Sequence, residues 1–352
     1  MRGPAAPTLS HRSTAEHEPV NVLWLTSGLG CDGDSIALSA ASNPSIEDLL
    51  RGCLPGMPPM ILYNPVFAFE TGEDFLTAWR RAAAGRLEPF VLVLEGSVPN
   101  EEINGEGHWA GFGTDPETGQ PIPTCTWIDR LAPRAAVVMA IGTCAAYGGI
   151  PAMRNNPTGA MGLRDYLGPA WVSRLGVPVI NLPGCPVQPD NITETLLCLV
   201  LYLAGMGPAP DLDEQGRPTR IFGRTVHEGC DRAGMAEQGQ FSDAHGDGRC
   251  LVKLGCKGPA VRCNVPVRGW VNGVGGCPNV GGICMACTMP GFPDKYMPFT
   301  EPDATAKLYA RTARIAHGPA VRYLRERRIR RKFDVEPPWR RRGRELLTGY
   351  QQ

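Results

Sequence analysis

Four apolar runs punctuate the first two hundred residues: VNVLWL from Val20, PFVLVLEG from Pro89, RAAVVMAIG from Arg134 and VPVINLPG from Val177. None alternates strictly between apolar and polar, so each predicts a strand covered on both faces. Between them, helical spacing predicts helices over Ser45 to Gly52, Glu73 to Ala84 and Ile192 to Ala204. Strands alternating with helices predict an α/β class fold with a doubly wound parallel sheet over residues 20–207, preceded by a flexible tail at 1–19.

From about Ile221 to Pro290 both periodicities fade, and Gly, Pro and Cys take over. This predicts a small irregular domain, bounded at 208–300, that a metal rather than an apolar core organises. A basic, partly helical extension follows over 301–352. Its helical pattern runs from Ala304 to Arg330, and eleven Lys or Arg stand against four Asp or Glu between Val321 and Glu345. Nothing aromatic interleaves with these charges as nucleic-acid stacking requires, so an arm that wraps a partner is preferred to nucleic-acid binding.

The whole chain is 352 residues with 35 basic and 35 acidic side chains, so no net charge selects a polyanionic partner. Its 43 Gly and 34 Pro imply long loops that need an anchor beyond the core. The opening residues, MRGPAAPTLSHRSTAEHEPV, hold neither the apolar segment of a secretory leader nor a twin-arginine signal, and the longest apolar run, Leu196 to Ala204, is too short to span a bilayer. The expectation is a cytoplasmic chain, at most peripheral to a membrane. In that compartment thirteen Cys point to metal ligation rather than disulfides.

Three constellations carry the chemistry. HEGCDR with GRCLVKLGCKGP offers His227, Cys230, Cys250 and Cys256, one imidazole and three thiols that suit either a structural zinc or an iron–sulfur cluster. GGCPNVGGICMAC offers the chelating pair Cys284 and Cys287, with Cys263 and Cys277 nearby. A second soft site beside the first favours electron transfer over two structural zincs. The third set is Cys31, Cys144 and Cys185 with Asp34. Each Cys follows an apolar run in a glycine-rich turn, at the strand ends where doubly wound sheets bind ligands. Gly30, Gly33, Gly142, Gly148 and Gly184 would let backbone amides approach a bulky cluster.

Together, the Cys31 turn, GTCAAYGG, NLPGCPVQP, HEGCDR, CLVKLGCKGP and CMACTMPGF resemble the small, electron-transfer subunit of nickel–iron hydrogenases over residues 20–300. The resemblance implies a flavodoxin-like domain holding a proximal four-iron (4Fe–4S) cluster through Cys31, Cys144, Cys185 and position 34. It implies a distal four-iron cluster on His227, Cys230, Cys250 and Cys256, and a medial cluster on Cys284, Cys287 and one further Cys. It also implies H2 oxidation at a nickel–iron centre in a large-subunit partner, in a heterodimer or a dimer of heterodimers, with electrons passed to a redox acceptor.

Two positions depart from the family pattern. Its C-x-x-C is C-x-x-D here, and Asp34 is expected to ligate iron through oxygen, as a carboxylate carries a thiolate's charge one bond farther out; a loop-stabilising Asp is the competing reading. This substitution is similar to the actinobacterial-type aerobic uptake branch. The extra Cys positions of membrane-bound oxygen-tolerant enzymes match Gly33 and Gly149. The family's first medial Cys is Val265 here, so Cys263 is expected to substitute, projecting to the same side if the segment is extended. Three Cys suit a three-iron (3Fe–4S) medial cluster, or a four-iron one if Cys277 ligates. Cys53, Cys125 and Cys198 read as core or interface residues, His108 as a loop residue, and His245 does not match the family ligand. Glu95, closing a strand near the cluster edge, orients a partner, interacts with a cluster loop or serves a turn. Phe241 and Trp270 read as core residues that could reach cluster sulfur. The rival readings are a quinone-reductase or coenzyme-reducing subunit sharing the proximal module, and a zinc-stabilised interaction protein.

Overall fold

In the computed structural model, which describes residues 18–52, 55–105, 107–302 and 304–316, the apolar runs become a parallel sheet. Its strands are β1 (Val20–Thr26), β2 (Met60–Tyr63), β3 (Phe90–Glu95), β6 (Val137–Ile141) and β7 (Ile180–Leu182), in the order β2-β1-β3-β6-β7. The hairpin β4 (Gly111–Thr114) and β5 (Pro121–Pro123) stands apart. Without it, the order is the flavodoxin-like 2-1-3-4-5. Register pairs Asn21 with Phe90, Val91 with Val137 and Met139 with Ile180, so β1, β3, β6 and β7 end at one edge.

Period-two alternation gives the sheet two cores. Val22, Trp24, Val91, Val93 and Met139 face one way, against Ile192, Leu196 and Leu199 of the later helix α7. Leu23, Leu25, Leu92, Leu94 and Val138 face the other, against Trp79 and Trp127. Each such side chain fully withdrawn from water contributes roughly 1.5–3 kcal/mol.

The helices around the sheet are α1 (Gly33–Leu38), α2 (Ile46–Arg51), α3 (Gly72–Ala83), α4 (Thr124–Leu131), α5 (Gly142–Tyr147), α6 (Leu163–Leu167) and α7 (Pro189–Leu203). Ser45 and Asp48 close a reciprocal capping box on α2. Beyond residue 207 the helices shrink to single turns: α8 (Thr219–Phe222), α9 (Val226–Gly229), α10 (Ala233–Glu237) and α11 (Val265–Arg268). Two small clusters serve this region. One joins Val226, Leu251, Val261 and Ala286 to Cys256 and Cys284; the other joins Phe241 and Val252 to Cys250. The final helix, α12 (Ala304–Ala316), covers the start of the predicted terminal helix; its continuation, most of the N-terminal tail, Cys53 and the basic extension beyond 316 lie outside the described residues.

Two expectations need correction. The segment after Cys263 is not extended: Asn264 is helical in backbone and Val265 opens α11, so strand alternation does not place Cys263. The Cys31 turn is also more than a turn, because Asp34 lies inside α1.

Candidate metal centres

The proximal set gathers at the carboxyl edge of the sheet from three separate strands. Cys31 follows β1, Cys144 lies in α5 directly after β6, and Cys185 follows β7. Asp34 is 7% exposed, and its Oδ1 accepts a hydrogen bond from the Val187 N–H at 2.7 Å, tying the loop after β1 to the loop after β7. The residues are near enough to feel each other's charge: Cys31, Asp34 and Cys185 all oppose ionisation of Cys144, whose thiol burial pushes up to about 11. Burial likewise raises Cys185, with Asp34 and Cys31 adding to it. Burial raises the Asp34 carboxyl to about 7; the Val187 N–H pulls the other way and the Glu95 charge adds to the rise. Three thiols and a carboxyl packed this closely resist ionising without a cationic core between them.

Glycine makes the close packing feasible. Gly142 has φ +84°, a conformation costly for other residues, and a Cβ there would sit on the Asp34 carboxylate. A Cβ on Gly33 would stand 3.0 Å from the Cys31 sulfur, and one on Gly149 2.9 Å from the Cys144 sulfur. The backbone is thus pared down around the candidate ligand atoms, which leaves room for a bulky inorganic group.

The second set lines a cavity where His227, Cys230, Cys250 and Cys256 meet Val252, Gly258 and Pro278. His227 sits on α9, whose capping box pairs Thr225 with Glu228. Burial pushes Cys230 up to about 12, while the Arg232 N–H, 3.4 Å from its sulfur, works against that. Cys250 and Cys256 are raised by burial too, offset by the amides of Val252 for the first and of Cys284 and Gly258 for the second. Such N–H···S bonds are the means by which proteins stabilise cluster thiolates.

The third set includes a residue that spacing ranked low. Burial lifts Cys263 to about 12, and lifts Cys284 and Cys287 well above the ordinary thiol range. Cys277 is close enough for its charge to add to the rise at all three. Four thiols, not three, therefore share this region. The Cys277 spacing to the CxxC pair did not reveal it; the Gly-Cys-Pro turn was the available signal.

Among the described residues, no three His, Cys, Asp or Glu side chains converge on one point as ligands of a single metal ion must. A four-iron cluster asks for the opposite, since each ligand binds a different iron. Thiols, an imidazole and a carboxyl grouped in this way are donors that an iron–sulfur cluster accepts.

The other singled-out residues fall elsewhere. Cys125 is buried in the sheet core near Pro99, and Cys198 on α7 lies 3.0 Å from the Arg220 guanidinium. His245 is exposed on a loop, and Phe241 packs against Cys250. Glu95 interacts with the Asp34 loop: its Oε1 accepts from the Asp34 N–H at 2.8 Å.

Two family models divide the chain. Residues 31–199 match the 20 kDa subunit of NADH ubiquinone oxidoreductase, and residues 222–300 match the C-terminal part of the NiFe/NiFeSe hydrogenase small subunit. The first match reflects the proximal module shared with quinone reductases, whereas relatives spanning both halves decide the family. The chain is 33% identical over 305 residues to the periplasmic [NiFe] hydrogenase small subunit 1 of Nitratidesulfovibrio vulgaris, covering 85% of this chain and 87% of that one. The chain belongs to the nickel–iron hydrogenase small subunits. It is 30% identical over 298 residues to the periplasmic [NiFeSe] hydrogenase small subunit of Desulfomicrobium baculatum, covering 83% and 90% of the two chains. The structure superimposes on the actinobacterial-type NiFe-hydrogenase of Ralstonia eutropha H16 with a TM-score of 0.84 and 55% identity, covering 95% of this chain and 97% of that chain. Hydrogenase small subunits relay electrons through iron–sulfur clusters, and the nickel–iron active site belongs to the partner large subunit. Among the described residues no helix is long and apolar enough to cross a membrane.

Proposed function

We propose that this hydrogenase small subunit carries three clusters in a row and serves H2 uptake in the cytoplasm, as one half of a heterodimer or of a dimer of heterodimers. Its working parts are the flavodoxin-like domain at 20–207 and the cluster domain at 208–300. The proximal ligands are Cys31, Asp34, Cys144 and Cys185, with Asp34 binding through oxygen. The distal ligands are His227, Cys230, Cys250 and Cys256. The medial ligands are Cys263, Cys284 and Cys287, and the nearness of Cys277 favours a four-iron cluster with Cys277 as the fourth. Iron–sulfur clusters held there would take up and release single electrons.

The observation that carries this reading is the contact between the three ligand groups. Cys185 of the proximal set lies close enough to Cys287 of the medial set for its charge to raise that thiol. The Cys284 N–H donates to the Cys256 sulfur at 3.3 Å, joining medial to distal. Thr143, beside Cys144, also donates its hydroxyl to the Cys287 carbonyl. These contacts support a reading in which the three sites stand in sequence. His227 brings a neutral ligand where the others are anionic, which raises the distal potential relative to all-Cys ligation.

The test is iron and sulfide counting on the chain copurified with its large subunit, with electron paramagnetic resonance under H2. Three separable cluster signals, with Mössbauer evidence of one oxygen-ligated iron lost in Asp34→Ala, are expected. Stoichiometric zinc without iron, or an unchanged proximal signal in Asp34→Ala, overturns the corresponding assignment. Cell fractionation separates a cytoplasmic enzyme from an exported one like its periplasmic relatives.

A further inference from the structure

Helix α1 begins without a cap of its own. Its N-cap residue, Asp32, has a left-handed backbone (φ 52°) and makes no side-chain capping bond. The first N–H groups of a helix have no partner within it and need one from elsewhere. Here it comes from β3, sixty-one residues along the chain from Asp34. The Glu95 Oε1 accepts from the Asp34 N–H at 2.8 Å and from the Ser35 N–H at 3.2 Å. Its Oε2 accepts from the Ser35 hydroxyl at 2.5 Å and the Trp24 indole N–H at 2.8 Å. Asn64 then donates to the Ser35 hydroxyl oxygen at 2.9 Å, which leaves the Ser35 proton directed at Glu95. Glu95 is 2% exposed, and each of these partners is a donor. Surroundings made only of donors match a carboxylate that accepts at both oxygens.

From this geometry we infer that Glu95 is a positioning residue for the proximal site: it caps α1 so that Asp34 presents its carboxylate, and its fixed negative charge holds the proximal cluster's reduction potential down. The inference rests on Asp34 being the oxygen ligand. Two features distinguish it from ordinary packing. The carboxylate grips the backbone of the ligand residue itself, not a neighbouring turn, so rotation of the loop is resisted at the ligand. And a buried charge this close to an electron-accepting centre acts in a low dielectric, where it is weakly screened. Adding an electron beside it is disfavoured, so neutralising it raises the potential.

Two kinds of variant shift the potential in opposite directions. Glu95→Gln removes the charge and keeps the shape. Trp24→Phe and Ser35→Ala keep the charge and each remove one donor, leaving more negative charge on the oxygens. The copurified heterodimer is titrated potentiometrically, with Mössbauer spectra of each form. Glu95→Gln is expected to raise the proximal potential and leave medial and distal potentials where they were. Trp24→Phe and Ser35→Ala are expected to lower it. A wild-type spectrum without an oxygen-ligated iron sinks the Asp34 assignment, and the inference with it. A wild-type spectrum that contains it, with a proximal potential that Glu95→Gln does not move, sinks the inference alone. Should Glu95→Gln fail to assemble, an unmoved or raised potential in both donor variants overturns it equally. A merely structural Glu95 could weaken assembly but would not give shifts of opposite sign.

Discussion

Replacing Gly142 by Ala tests the proximal cradle with a single methyl group. Gly142 opens α5 at φ +84°. An Ala in such a left-handed conformation is disfavoured by about 1–2 kcal/mol. Its Cβ would also overlap the Asp34 carboxylate, standing 3.0 Å from Cγ and 3.4 Å from Oδ1. The carboxylate cannot retreat freely, because Oδ1 is held by the Val187 N–H at 2.7 Å. Overpacking of this kind costs roughly 1–3 kcal/mol. Gly168 supplies the control: it has φ +99° but nothing within 4 Å of its Cβ position, so Gly168→Ala carries the backbone strain alone. The two variants should differ in denaturant stability by about 1–3 kcal/mol, the overlap contribution. They should differ more plainly in spectroscopy, because Gly142→Ala pushes the oxygen ligand aside. Proximal cluster content, from iron counting and paramagnetic resonance on the copurified heterodimer, should fall in Gly142→Ala and hold in Gly168→Ala. Equal stability and equal cluster content in the two variants would refute the reasoning, since Asp34 would then have room that the structure denies it.

Loading of the proximal site on the apo chain should depend on pH through Asp34. Its raised carboxyl, near 7 in the fold, must lose a proton to bind iron, so occupancy rises from pH 6 to pH 8. The sign for stability is opposite: the folded apo chain keeps a proton that the unfolded chain has released, so Asp34 favours the fold at low pH and this contribution fades as pH rises through about 7. Chemical reconstitution followed by sulfide assay checks the loading, and Asp34→Asn should remove the component centred near 7; an identical profile in the variant refutes it. Cys277→Ser should convert the medial cluster to a three-iron form, seen as a new paramagnetic signal in the oxidised protein; an unaltered spectrum removes Cys277 from the ligand set. His227→Cys should lower the distal potential in a redox titration, because an anionic ligand replaces a neutral one; an equal or higher potential contradicts the His227 assignment.

The parallel sheet was legible because its strands are buried on both faces, so VNVLWL and VVMAI are apolar without interruption. The edge strand β2 was not. Met60–Tyr63 is four residues long and only Met60 is fully buried, so its composition carries little signal. Helix α1 was hidden for another reason. GDSIAL is too short for a helical period, and its cap comes from Glu95 on another strand. The candidate ligand positions come from motif order, but their mutual contacts could not be read there. The Asp34–Val187 and Cys284–Cys256 bonds join residues 153 and 28 positions apart, and local pattern does not encode such separations. The nearness of Cys277 to Cys263, Cys284 and Cys287 was hidden for the same reason, since spacing alone did not say which thiols it would meet.

The loops after β1, β6 and β7 meet only at the rim of a finished sheet, because Cys31 and Cys185 are brought together by strands whose order differs from their order of synthesis. A nascent chain that stops before residue 185 has no complete pocket to fill. If Cys31, Cys144 and Cys185 are the ligands proposed above, metal delivery to this pocket waits for the last strand to dock. On the proposed ligand set, a product truncated before residue 185 would keep no iron at this rim.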